Sequence, residues 1–219
     1  MSPVISDSEL IIKPLNTNYN LFSFSCKDSD LNDFLKNDAL NYQKYMISKT
    51  NLCFFGNELV GYITLTIDTI GTKKVEVNDE FESKCSYPAM KIARLAVDSR
   101  FERKRIGTHL LYAAIGKALS ISDSVGCRFV LVDSKKDAIS FYEKYGFKKA
   151  ILKEKDKRDN YTPMYFDLQP TLLEINSYVE GKGDSTANIH VLLQTSSSVE
   201  GSSSSNANIQ LLDYNEKKK

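Results

Sequence analysis

A predicted strand followed by a basic loop and a long helix is the segment of this sequence best suited to bind an anion. The loop at residues 100–105 contains four basic residues, and Gly107 lies near the start of the helix. The first amides of a helix have no intrahelical acceptor, and the helix dipole is positive at that end. The segment therefore predicts a phosphate site. A solvated charged turn before an ordinary helix is the alternative, because one glycine with basic neighbours is a weak motif.

Tyr142 is a second candidate for chemistry. It lies on a short predicted helix, on which Ala138, Phe141 and Tyr145 share one face that we expect to point into the core. Tyr142 falls on the adjacent face. A phenol keeps its proton at neutral pH and can donate it to a reacting group. Taken alone, however, Tyr142 is explained equally well as one more packed aromatic residue among the twelve tyrosines of the chain.

Strands and helices alternate around these two segments. Runs rich in β-branched and aromatic residues predict strands at 10–14, 51–55, 59–67, 92–97, 129–132 and 162–168. Helical spacing predicts helices at 30–42, from 106 to about 126, and before Gly146, the last with a capping-box spacing from Ser134 to Asp137. Gly56 and Asn57 join the second and third strands as an antiparallel hairpin. The pattern predicts a mixed α/β sheet with right-handed crossovers.

Composition excludes several classes of function. The formal net charge of +1 gives no bulk attraction to nucleic acid or membrane. The four cysteines (Cys26, Cys53, Cys85 and Cys127) form no C-x-x-C pair, and there are only two histidines, which argues against a zinc cluster. We find no signal peptide and no apolar run long enough for a membrane span. We therefore expect a cytoplasmic protein with reduced thiols and no membrane partner.

The composition changes near Pro170. Seven of the eleven residues at 195–205 are serine, and a weak repeat relates residues 179–189 to 199–209. Two copies are too few for a solenoid, and such a segment buries too little to offset its ordering entropy. We therefore predict one domain over residues 1–169 and a flexible, low-complexity Ser/Gly-rich tail over 170–219.

The strand–loop–helix segment and the Tyr142 helix together resemble the GNAT superfamily of N-acetyltransferases. Residues 94–98, Arg-Leu-Ala-Val-Asp, with the following loop and helix are similar to its acetyl-coenzyme A motif, and residues 138–147 are similar to its Ala-x-x-Phe-Tyr-x-x-x-Gly-Phe motif. Residues 24–39 and 61–65 are similar to a GNAT subgroup that includes aminoacyl-tRNA acetylating toxins. The resemblance covers residues 8–168 and implies a GNAT-like, mostly antiparallel mixed sheet flanked by helices.

The resemblance also implies the chemistry and its residues. Acetyl-CoA would be the cosubstrate, no metal is required, and a primary amine would attack the thioester directly. Leu95, Ala96 and Val97 would hold the pantetheine arm and the acetyl carbonyl, and Tyr142 would protonate the departing thiolate. The loop that would hold the pyrophosphate consists of Arg103, Lys104, Arg105, Ile106, Gly107 and Thr108.

Three residues depart from the family pattern. Glu102 replaces the usual Gln or Arg of the loop, Arg105 replaces its first glycine, and Lys135 stands where many relatives have asparagine. An arginine with negative φ would still offer its amide to a phosphate. Whether the altered loop weakens coenzyme A binding is left open by the sequence.

The general base and the acceptor are not selected by the sequence. Asp68, Asp79 and Glu82 are carboxylates in the middle of the chain, and His109 is predicted to lie on the surface of the long helix. A generic amine N-acetyltransferase is the first hypothesis. The alternatives are an aminoacyl-tRNA acetylating toxin of a toxin–antitoxin pair and a non-catalytic domain that binds acyl-coenzyme A or a protein. The candidate partners are a small-molecule or protein amine, tRNA, an antitoxin protein and a second copy of the chain.

Overall fold

The computed structural model describes residues 5–77, 86–153 and 160–179. These residues form a sheet of seven strands in the order β1-β2-β3-β4-β5-β7-β6. The strands are β1 (Leu10–Pro14), β2 (Lys49–Phe55), β3 (Glu58–Gly71), β4 (Ser86–Val97), β5 (Phe129–Lys135), β6 (Lys148–Lys149) and β7 (Tyr161–Asp167). Neighbouring strands are antiparallel except β4 and β5, which are parallel. The predicted mixed, mostly antiparallel α/β sheet is therefore confirmed.

The hairpin of β3 and β4 is longer than the sequence predicts. Its register runs from Gly61 opposite Val97 to Gly71 opposite Ser86. The polar residues of β3 and Pro88 in β4 interrupt the apolar alternation that predicts a strand, so both predicted strands are too short. The predicted turn between β2 and β3 is present, with Gly56 at a φ of +58°.

The helix predicted over residues 30–42 is not continuous. It consists of α1 (Ser29–Asp33), a π-helical turn (Phe34–Asp38) and α2 (Ala39–Lys44). The side chain of Asp28 caps α1 by accepting hydrogen bonds from the amides of Asp30 and Leu31. The wider π turn lets two consecutive large side chains, Phe34 and Leu35, both be buried.

Helix α3 (Ile106–Ser122) begins at the predicted residue and ends before the predicted Gly126. Helix α4 (Ile139–Lys144) starts later than predicted, because a 3₁₀ turn (Lys136–Ala138) precedes it. The predicted capping box is wrong: Ser134 lies in β5, and its hydroxyl donates to the carbonyl of Lys135.

Helix α5 (Leu168–Val179) continues the chain beyond the predicted domain boundary at residue 169. The side chain of Asp167 accepts a hydrogen bond from the amide of Gln169, and Pro170 lies in the first turn. A proline is compatible with that position because the amide it lacks would have no partner there. Pro170 therefore lies within the first turn of α5, and the serine-rich segment lies outside the described residues.

The core lies on both faces of the sheet. Side chains of α3, α4 and α5 pack on one face, which we call the α3 face. The α1–α2 segment packs on the other face, which we call the α1 face, against Tyr62 of β3 and Ala96 of β4. Among the described residues, no helix combines the length and apolarity needed to cross a membrane.

Candidate active site

The two central parallel strands separate in the middle of the sheet. Pairing between β4 and β5 ends at Ile92 opposite Val132. Beyond that point β4 continues along β3 to Val97, while β5 continues along β7 to Lys135. Residues 93–97 and 133–135 are therefore not paired with each other, and a gap separates the two strands there. We call this gap the cleft.

Two amides predicted to hold the acetyl group face the cleft. The amide of Asp98 donates to the carbonyl of Val60 on β3, over 2.9 Å. Because amide directions alternate along a strand, the amides of Leu95 and Val97 point to the opposite edge, away from β3. Ala96 instead buries its side chain on the α1 face.

The loop between β4 and α3 adopts a glycine-like backbone without glycine. Arg103 has a φ of +61° and Arg105 a φ of +68°. The condition of negative φ is not met at Arg105, which has the left-handed conformation that glycine adopts without strain. Each left-handed arginine costs about 1–2 kcal/mol. The loop shape is therefore preserved at an energetic cost.

The N-terminus of α3 opens beside this loop. The first intrahelical bond is donated by His109 to the carbonyl of Arg105, so the amides of Ile106, Gly107 and Thr108 precede the helical ladder. A Cβ on Gly107 would lie 3.6 Å from the ring of Phe141 and 3.7 Å from Val97. Gly107 thus places the start of α3 directly against the end of β4 and against α4.

Tyr142 is more deeply buried than the sequence predicts. Its side chain packs edge-on against Phe141 and Phe147, with ring centroids 5.1 and 5.4 Å away. Phe141 and Tyr145, predicted to face the core, are only partly buried, so the predicted orientation of this helix is rotated. Burial raises the pKa of Tyr142, which therefore remains a neutral phenol at physiological pH.

Thr108 links the predicted pyrophosphate loop to the helix that carries Tyr142. Its hydroxyl lies 2.7 Å from the hydroxyl of Tyr145, and either group can be the donor. The ring of Tyr145 also packs edge-on against Tyr112 of α3 and Phe141 of α4. The N-terminus of α3 and the α4 helix are therefore held together by one hydrogen bond and a cluster of rings.

Asp98 is a structural residue of the site that sequence reasoning missed. It is completely buried and accepts hydrogen bonds from the amides of Ser25 and Arg100 and from the Arg100 side chain. Burial alone would raise the pKa of Asp98, but these donors outweigh it and lower the pKa. Asp98 thereby ties the end of β4 to the segment before α1, a contact that no local pattern encodes.

Two of the departures from the family pattern are explained by that same segment. Glu102 forms an ion pair with Lys27, over 2.6 Å. Lys135, at the end of β5, forms an ion pair with Asp28. Glu102 and Lys135 are thus both engaged in ion pairs with residues just before α1. These ion pairs connect the start of α1 to both sides of the cleft.

An open cavity of about 420 Å³ lies beside the Lys135–Asp28 ion pair. Its lining comes from the start of α1, the end of β5 and the start of β7: Asp30, Lys135, Lys136, Asp137, Asn160 and Tyr161. Its walls carry both signs of charge.

The structure selects no general base. Asp68 forms an ion pair with Lys91, over 3.4 Å, and Asp79 and Glu82 lie outside the described residues. The prediction that His109 lies on the helix surface is wrong: it is 2% exposed, and burial lowers its pKa. Its Nδ1 lies 3.4 Å from Asp7, and neither ring nitrogen makes a hydrogen bond within the described part of the chain.

Cysteines and metal ligands form no cluster in the described ranges. Cys26, Cys53 and Cys127 are free thiols there, and Cys85 lies outside them. Burial raises the pKa of Cys53 to about 12, so this thiol is a packing residue. No group of three or more His, Cys, Asp or Glu side chains in the described residues could hold a metal ion.

Comparison with known proteins gives consistent matches. Residues 15–147 match the model of the Acetyltransferase (GNAT) family. A tRNA-acetylating toxin of Mycobacterium tuberculosis (strain ATCC 25618 / H37Rv) is 29% identical over 126 residues, which cover 57% of this chain and 76% of that protein.

Solved structures match the fold. The complex of AtaT with acetyl-methionyl-tRNAfMet has a TM-score of 0.65 at 20% identity, covering 75% of this chain and 98% of that one. A tyrosine-to-phenylalanine mutant of KacT has a TM-score of 0.65 at 19% identity, with the same coverage of 75% and 98%. At these identities the match concerns the fold.

Proposed function

The chain belongs to the GNAT acetyltransferase family, and from this premise we propose that it transfers an acetyl group from acetyl-CoA to the amino group of an aminoacyl-tRNA. The coarser activity, acetyl-CoA-dependent acyl transfer, follows from family membership. The finer choice of acceptor is supported by the similarity to the M. tuberculosis protein, which is named a tRNA-acetylating toxin. This shifts our preference from the generic amine that the sequence alone favoured.

The single observation that carries the acetyl-transfer proposal is the cleft between β4 and β5. It places the cleft-facing amides of Leu95 and Val97 next to the start of α3, whose first three amides precede the helical ladder. Unpaired amides at the end of a splayed strand suit a thioester carbonyl, and helix-terminal amides suit a pyrophosphate. These residues therefore fit the cosubstrate that the family implies.

We assign the following roles to the residues of the cleft. The amides of Leu95 and Val97 stabilise negative charge that develops on the carbonyl oxygen during attack by the amine. The loop from Arg103 to Thr108 binds the pyrophosphate with its amides and arginine side chains. Tyr142, kept neutral by burial, donates its proton to the departing thiolate. The proton that the amine loses passes to solvent water, from which the Tyr142 phenol is protonated again. Bound acetyl-CoA supplies the activated acetyl group.

The relatives also suggest the partners. The structure of a mutant of the toxin AtaT has been solved bound to the C-terminus of the antitoxin AtaR. KacT is a second protein whose fold this chain shares. We propose that this chain is a toxin with a cognate antitoxin protein, as AtaT has. We propose a cytoplasmic location because the proposed acceptor, charged tRNA, is found there. A second copy of the chain remains a proposed partner.

An acceptor competition tests the substrate class. The full chain is incubated with radiolabelled acetyl-CoA, charged tRNA, a lysine-containing peptide and a small polyamine together. We expect label in the RNA fraction, released by alkaline deacylation as N-acetyl-amino acid. Label that appears in the peptide or the polyamine while charged tRNA stays unlabelled would refute the tRNA proposal and restore the generic amine acceptor.

A further inference from the structure

Among the described residues, three half-buried cations, Arg94, Lys36 and Lys104, have no carboxylate within ion-pair distance, and of these Arg94 lies on β4 at the cleft. Lys91, three residues earlier on β4, pairs with Asp133 at 2.9 Å, and Arg128 pairs with Asp167 at 2.7 Å. Arg94 is also half-buried, but no carboxylate lies within ion-pair distance of it in the described parts of the chain. A cation that has lost part of its water without gaining a counter-ion is costly, so an external anion would stabilise it.

Aromatic rings hold the Arg94 side chain in place. The guanidinium carbon lies 3.6 Å from the ring centroid of Phe34 and 6.0 Å from that of Tyr42. The two rings pack edge-on at 5.3 Å. Stacking covers one face of the guanidinium and leaves its N–H groups, which lie in the plane, available as a rigid fork of donors.

The backbone around this stack is specialised on both sides. Phe34 begins the π-helical turn, a feature that occurs frequently at functional sites. On β4, the register with β3 shifts between the pairs Thr64–Arg94 and Leu65–Ile92. A bulge of this kind re-aims a side chain. The π-helical turn and the bulge in β4 both help to set the position of the Arg94 guanidinium.

Arg94 lies on the α1 face of the sheet, beside the cleft. It is two residues beyond Ile92, where β4 leaves β5, and it shares the α1 face with Ala96 and Tyr62. Leu95 and Val97 pack on the α3 face, on which α4 places Tyr142. An amine that enters from the α1 face would thus pass Arg94 within about 10 Å of the amides of Leu95 and Val97, given about 3.3 Å per strand residue.

We infer that Arg94 binds a phosphodiester of the single-stranded 3′ end of the RNA acceptor. The inference rests on the proposed function. In an aminoacyl-tRNA the amino acid carboxyl is esterified, so the nearest anion to the attacking amine is the phosphate one ribose away. A planar guanidinium fork matches phosphate geometry, and the neighbouring rings of Phe34 and Tyr42 suit an unstacked nucleotide.

The test measures RNA binding without catalysis. A short fluorescent single-stranded RNA that ends in CCA with a free 3′ hydroxyl is titrated with the full chain at several salt concentrations. We expect Arg94→Gln to weaken binding about tenfold, as for the loss of a charged hydrogen bond. The slope of log affinity against log salt should decrease by about 0.7, because the variant neutralises one phosphate fewer on a single strand.

Two further variants keep the test decisive. Lys13→Gln is the matched control, because Lys13 is an exposed cation 5.8 Å from the Phe54 ring on the edge strand β1; it should leave RNA binding unchanged. Arg94→Lys keeps the charge and loses the fork, so it should retain the salt slope with weaker binding. Arg94→Lys also keeps the test informative if Arg94→Gln disturbs the packing of Phe34. Affinity for acetyl-CoA should stay the same in all variants.

The outcomes separate this inference from the proposed function. Wild-type RNA affinity and salt slope in both Arg94 variants, or no RNA binding by the wild-type chain, would overturn the role of Arg94. Failure of the wild-type chain to acetylate charged tRNA would overturn the proposed function, whatever the binding data show. Weaker binding with a smaller slope in Arg94→Gln supports the inference independently of turnover.

Discussion

The hydroxyls of Thr108 and Tyr145, 2.7 Å apart, join the N-terminus of α3 to α4. Thr108 belongs to the predicted pyrophosphate loop, and Tyr145 lies one residue after the helix that carries Tyr142. The two groups proposed to act at opposite ends of the cosubstrate arm are therefore held in register by one pair of side chains.

Removal of the hydrogen bond between Thr108 and Tyr145 should lower the stability of the fold. For Tyr145→Phe we expect a loss of about 1 kcal/mol in the free energy of unfolding, since the Thr108 hydroxyl loses its partner. Urea denaturation measures it. Tyr112→Phe is the matched control, because Tyr112 packs against Tyr145 without a hydrogen bond to it. Equal effects of the two substitutions would show that the Thr108–Tyr145 bond contributes nothing specific.

Arg105→Gly should stabilise the protein. The left-handed φ of +68° is strained for arginine and free for glycine, so relief of about 1–2 kcal/mol outweighs the roughly 0.5–1 kcal/mol that glycine loses in unfolded-chain entropy. Thermal unfolding should show a small rise in Tm. Lys104 is the neighbouring residue and does not have a positive φ, so Lys104→Gly should lower the Tm. A lower Tm for Arg105→Gly would contradict the strain assigned to the loop.

The two arginines show what the sequence could not predict. The order of strand, basic loop and helix is readable because β-branched runs and helical spacing are local signals, and α3 begins at the predicted Ile106. The sequence also marks Arg105 as a departure from the family pattern. It could not show that the backbone keeps the glycine conformation, because φ at such a residue is imposed by the packing of β4 and α3 around it.

Tertiary packing accounts for the other differences. Asp98 meets Ser25 across 73 residues, and Lys135 meets Asp28 across 107. A polar histidine is expected on a helix surface, yet the segment that contains Asp7 covers His109. Tyr142 points into the core, although helical spacing predicts that Ala138, Phe141 and Tyr145 form the core-facing side of this helix. Local spacing encodes none of these arrangements.

His109 should make stability depend on pH. Burial lowers its pKa below the ordinary value of 6.5, so between the folded pKa and 6.5 the unfolded chain binds more protons than the folded one. The free energy of unfolding should therefore be fully retained above about 6.5 and fall as the pH decreases below it. Urea denaturation at several pH values measures this slope.

His109→Leu should remove that part of the slope, because leucine fills the site without titrating. Asp7→Asn should steepen it, since Asp7 is the carboxylate that favours the protonated ring, with 3.4 Å between Nδ1 and Oδ1. Identical slopes in wild-type and His109→Leu would assign the pH dependence to carboxyl groups elsewhere.

Single-turnover acetyl transfer to charged tRNA tests the central claim most directly, namely acetyl transfer in the β4–β5 cleft with Tyr142 as proton donor. We compare wild-type, Tyr142→Phe and the control Tyr112→Phe at saturating acetyl-CoA, and measure acetyl-CoA affinity by calorimetry. The account predicts that Tyr142→Phe lowers the transfer rate about 10²–10⁴-fold, the usual contribution of a general acid, with affinity and fold unchanged. A wild-type rate in Tyr142→Phe, or no transfer to charged tRNA by the wild-type chain, would contradict it.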